Sequence, residues 1–192
     1  MGNQKLKPVI IVFMGGCCGD LLTLLIDWTG AVDDHDMGIM RMSQDRQQLK
    51  KPHLFASTQE KIKYLEHIGQ QYCSLPSHDI EFHQQCNHEF VGIAVKEYST
   101  AVWAAQRFKE SHRPQVWQEV ERACGIDSVE KYAELIMHYG NKIKLTTPNI
   151  VYLEDILEGN AVTVIENMLG IEIDDQVKTQ HYPAWLQRQQ GK

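Results

Sequence analysis

The apolar pattern opens with an unbroken run, Val9-Ile10-Ile11-Val12-Phe13-Met14. A strand with no polar alternation is buried on both faces, as strands of parallel sheets are. Leu21, Leu22, Leu24, Leu25 and Trp28 then recur at helical spacing until Gly30, with Asp20 placed as N-cap. Residues 33–55 are polar and aperiodic, which predicts a long loop or partly ordered arm carrying substrate or partner contacts. Ser57-Thr58-Gln59-Glu60 is a capping box for a helix whose buried stripe is Ile62, Leu65 and Ile68.

A second apolar run, Phe90 to Val95, reads as a strand, and Ala101, Val102, Ala105 and Phe108 mark the helix after it. Pro114 suits the first turn of another helix, and Asp127 with Glu130 opens the next, which carries Tyr132, Leu135, Ile136 and Tyr139. Asn149 to Leu153 is a third strand, Asn160 caps a helix that Gly170 stops, and Trp185 and Leu186 dock the last helix. Strands alternating with helices predict an α/β fold, a three-layer sandwich with a mainly parallel central sheet. With no repeats, low-complexity tracts or linkers, residues 1–192 read as a single domain.

Composition narrows the function classes. A chain of 192 residues that is 43% hydrophobic can build one core unaided, which excludes disorder, collagen and coiled coil. The balance of 19 basic against 25 acidic residues gives net charge -6, and no basic run exceeds the pair Lys50-Lys51. A nucleic-acid partner is therefore not expected, and any polyanion site must be local. Five cysteines, an odd number, do not form a fully paired secreted framework, so a reducing, cytoplasmic setting is expected. Lys5 and Lys7 before the apolar run, and Met14-Gly15-Gly16-Cys17 at its end, resemble a lipoprotein signal, but the run is short and an apolar helix follows. No stretch approaches the ~20 apolar residues of a membrane span. Leu6 stands where myristoylation needs Ser or Thr, so no membrane partner is expected.

Candidate chemistry centres on the loop after the first strand, Gly15-Gly16-Cys17-Cys18-Gly19-Asp20. Ligands of open parallel sheets bind beyond the carboxyl ends of the strands. Glycines there let backbone N–H groups point inward at a helix N-terminus, which makes an anion cradle. The same glycines also serve a tight turn where a helix packs on its strand, and both readings stay open. The loop matches neither the Walker nor the dinucleotide pattern. It offers no lysine, and a carboxylate at Asp20 repels an anion.

Three segments together resemble the sulfotransferase family, which uses 3′-phosphoadenosine 5′-phosphosulfate (PAPS) on a P-loop-like fold. Cys18-Gly19-Asp20-Leu21-Leu22 lies where the family has Ser-Gly-Thr-Thr and an apolar residue. Ser77-His78-Asp79, followed by the strand 90–95 and Ala104-Ala105-Gln106-Arg107-Phe108, is similar to the family's Ser/Thr-His element and 3′-phosphate strand and helix. Val151-Tyr152-Leu153-Glu154-Asp155-Ile156-Leu157, then Leu169-Gly170-Ile171, resembles its Glu-Asp-Leu-Leu strand and Phe-Leu-Gly-Leu segment. The resemblance implies a P-loop/sulfotransferase-like fold and sulfuryl transfer from PAPS to a hydroxyl or amine of a small-molecule or macromolecular acceptor. It places the sulfo end on Gly15, Gly16, Cys17, Cys18, Gly19 and Asp20, His78 as general base, and Lys96 on the 3′-phosphate. The chain departs from the family where Cys17 replaces the loop cation, Asp20 and Leu21 replace the threonines, and Ala104 or Ala105 replaces a serine. These departures open an alternative: a non-catalytic binding or structural protein, as a homo-oligomer, assembly or virion-associated component, that keeps the fold without the donor site.

Other constellations are weaker. Cys73, His78, His83, Cys86 and His88 lie close together but lack the paired spacing of zinc ligands, so no metal is expected. Cys17 and Cys18 at a helix N-terminus could hold a thiolate nucleophile, or could be two small residues in a packed turn. Trp103, Phe108, Trp117, Tyr132 and Tyr139 fall at core spacing without interleaved basic residues, which reads as packing rather than a base-stacking platform. Glu154 and Asp155 read as residues that cap or pair after a strand.

Overall fold

The computed structural model describes residues 9–26, 74–78, 80, 89–111, 114–173 and 175–189. Strand β1 (Val9–Val12) leads into helix α1 (Gly19–Ile26). Strands β2 (Ser74–Ser77) and β3 (Glu89–Ala94) precede three helices, α2 (Tyr98–Ser111), α3 (Pro114–Cys124) and α4 (Val129–Thr146). Strand β4 (Ile150–Tyr152) is followed by α5 (Leu153–Leu157), α6 (Ala161–Leu169), a π-helical turn (Val177–His181) and α7 (Tyr182–Gln189).

The described strands form one parallel sheet in the order β2-β1-β3-β4. All four β1 residues are buried, as its unbroken apolar run predicts. Register pairs Val12 with Gly92 and Ala94 with Tyr152, so these residues share a face. Helix α4 covers that face: a Cβ built at Gly92 would lie 2.0 Å from Ile143 Cγ2, and Gly140 brings α4 against Ala94. Val9, Ile11, Val91 and Ile93 point the other way, into a core with Leu22 and Leu25 of α1, Ile165 of α6 and Trp185 of α7. Helices thus cover both faces of a parallel α/β sheet. The β1/β3 neighbours form its topological switch point, because the chain leaves β1 for β2 on one side and returns to β3 on the other.

Several boundaries differ from the sequence expectations for identifiable reasons. Helix α1 starts a residue before the expected Asp20 cap, because the Cys18 carbonyl accepts Leu22 N–H at 3.1 Å; Asp20 is the second helical residue. Helix α4 is capped by Ser128, whose hydroxyl accepts Lys131 N–H at 3.2 Å, while Asp127 pairs with Lys131 Nζ at 2.6 Å. Asn160 precedes α6 but makes no side-chain cap; its amide donates to Glu158 at 3.3 Å. Gly170 ends α6 in the left-handed region as expected, with φ 63°. Strand β2, Ser-Leu-Pro-Ser, has no apolar run to reveal it, and its proline is tolerated at the edge of the described sheet. The expected loop 33–55, the helix opened at Ser57 to Glu60, and Trp28 with Gly30 lie outside the described residues, as do Cys73, Asp79, His83, Cys86 and His88.

Candidate functional site

The loop after β1 begins with a turn in which Cys17 N–H donates to Met14 O at 3.1 Å, so that N–H is directed back into the turn. Gly16 takes φ 90°, the positive value that the third position of a type II turn requires. Cys18 follows with φ 59°, left-handed for a residue with a Cβ, and its thiol lies 3.9 Å from Gly16 O.

Each loop glycine has a neighbour that leaves no room for a side chain. A Cβ at Gly16 would lie 2.3 Å from the backbone oxygen of Ala104 in α2. At Gly15 it would lie 2.7 Å from Phe108 and 2.8 Å from the Tyr132 hydroxyl. At Gly19 it would lie 2.1 Å from the Phe13 ring. Helix α2 therefore runs across the carboxyl edge of the sheet and seals one side of the loop. Tyr132 donates to Gly15 O at 3.4 Å and stacks on Phe108 with ring centroids 5.1 Å apart, and Trp117 meets Tyr132 edge-on at 5.5 Å. These aromatic side chains are core, as their helical spacing suggested. Of the two readings of the glycines, close packing has a partner at every position.

Burial also decides the chemistry of Cys17, which is 1% exposed. Desolvation pushes its thiol far above the ordinary range, and the neighbouring Cys18 and Glu154 push in the same direction. Of the two readings of Cys17, this burial favours a small residue in a packed turn over a thiolate nucleophile. Tyr132 and Tyr182 are likewise raised, chiefly by burial.

His78 does come to the loop. It follows β2, and its Nδ1 lies 2.7 Å from Phe13 O, at the end of β1. Because a carbonyl only accepts, Nδ1 carries the proton, and in the neutral ring Nε2 is the basic nitrogen. The imidazole meets the Phe13 ring edge-on at 4.6 Å, and the Tyr139 hydroxyl donates to the His78 carbonyl. Local pattern could not reveal these partners, which lie 65 and 61 positions away in sequence.

Lys96 lies on the other side, past the end of β3. Its ammonium is 3.6 Å from Asp155 and 4.2 Å from the centre of the Tyr152 ring, which Lys144 approaches at 5.4 Å. The backbone N–H groups of Lys96 and Glu97 both donate to Glu154 Oε1, each at 3.0 Å. Glu154 Oε2 is buried with no hydrogen-bond partner. Glu154 and Asp155 thus cap and pair, as their position after a strand suggested. Sequence did not reveal what they cap: a turn 57 or 58 positions upstream.

Away from this edge, an open cleft of about 720 Å³ lies between α2, the start of α4 and the end of α7. Arg107 borders it, donating to Gln189 at 2.8 Å beside the Trp103 ring, but none of the expected site residues lines it. Among the described residues no group of three or more His, Cys, Asp or Glu side chains is placed to hold a metal ion. No described helix is long and apolar enough to cross a membrane. Searches of protein-family models, curated proteins and solved structures find no match to this chain.

Proposed function

We propose that this chain is a non-catalytic binding or assembly protein on a sulfotransferase-like parallel α/β scaffold, its donor site closed by its own atoms. The observation that carries this reading is the Glu154 carboxylate on the N–H groups of Lys96 and Glu97. That turn flanks the switch point, where a parallel sheet would receive an anionic ligand. The residues present do not fit PAPS. The turn already holds a carboxylate, Lys96 is engaged by Asp155, and the loop glycines adjoin α2 and aromatic rings rather than an open cradle. The charge pattern supports the same reading, since a net charge of -6 gathers no cations around a polyanionic donor.

A second reading, PAPS-dependent transfer to a hydroxyl or amine, is favoured by His78. Phe13 O fixes its tautomer at the carboxyl edge, leaving the ring suited to accept a proton from an acceptor hydroxyl. Calorimetry with 3′-phosphoadenosine 5′-phosphate separates the two. The binding-protein reading expects no heat of binding up to millimolar nucleotide, whereas saturable micromolar binding would establish the donor site and sink it. Light scattering supplies the complementary test, because a strictly monomeric chain with no partner on pull-down counts against assembly.

A further inference from the structure

We draw no further inference here: the strongest candidate, the open cleft between α2, the start of α4 and the end of α7, sets Glu110, Asp127 and Glu130 against Arg107, Lys109 and Arg188 on its walls, so charge selects no occupant, and nothing in the structure shows what covers it.

Discussion

Substituting Gly16 by alanine tests the claim that the glycine loop exists to let α2 approach. Two costs add. The position has φ 90°, where a residue with a Cβ is strained by roughly 1–2 kcal/mol. The new methyl would also sit 2.3 Å from the Ala104 carbonyl oxygen, a backbone atom that no rotamer change can move. Forcing a packed helix to shift costs about 1–3 kcal/mol. Loss of unfolded-state freedom returns roughly 0.4–1 kcal/mol, leaving a net destabilisation of about 3 kcal/mol. For a chain of this size that lowers Tm by roughly 6–12 °C. Gly125 and Gly170 supply the control, because they share positive φ, 66° and 63°, yet a Cβ at either meets nothing within 4 Å. Their alanine variants carry strain alone and should lose about 1 kcal/mol or less. Urea unfolding of the three variants, with unchanged m-values as the condition for comparison, isolates the clash. Should Gly16→Ala cost no more than Gly125→Ala, α2 does not lie against the loop and the packing account fails.

Further outcomes follow from burial and charge. Alkylation followed by peptide mapping should label exposed Cys124 within minutes and leave Cys17 unlabelled until the chain unfolds, with no acceleration at Cys17 between pH 7 and 9. The linked effect on stability has a definite sign. Cys17 stays protonated in the folded chain but ionises near 9.0 when unfolded, so its contribution is intact below pH 9 and is lost as pH rises. Stability should fall by up to ~1.4 kcal/mol per pH unit above that point, and Cys17→Ala should flatten the slope. Above pH 10 the buried Tyr132 and Tyr182, raised from 10.0, steepen the loss with the same sign. Tyr132→Phe removes only the long bond to Gly15 and should cost under about 1 kcal/mol, whereas Tyr132→Ala empties the aromatic cluster and should cost about 3–5 kcal/mol in chemical denaturation. Nitrogen NMR of His78 should show Nδ1 protonated in the neutral ring; an Nε2-protonated tautomer would contradict the bond to Phe13.

Which parts of this structure were legible in the sequence follows from the range of the forces involved. The parallel strands β1 and β3 announced themselves because burial on both faces demands an unbroken apolar run. Pro114 opened α3 and Gly170 closed α6 as their backbone preferences require. Strand β2 was hidden because a short segment containing proline is held by its pairing with β1 rather than by its own pattern. At the N-terminus of α4 the pattern pointed to Asp127 with Glu130, whereas the geometry makes Ser128 the cap.

The site was legible as a place and ambiguous as chemistry. That His78 reaches the loop came only through the family resemblance. Whether the glycines hold an anion or admit a helix depended on Ala104 and Phe108, far along the chain. The part of Glu154 was beyond reach, since a glutamate after a strand looks the same whether it faces water or fills a turn on the neighbouring strand.

The most direct measurement is a high-resolution crystal structure of the wild-type chain grown from concentrated ammonium sulfate. The account predicts the Glu154 carboxylate on the N–H groups of Lys96 and Glu97, with no sulfate at that turn. A sulfate seated on those two N–H groups, with Glu154 swung away, would show that the wild-type chain keeps an open anion site and would contradict the central claim.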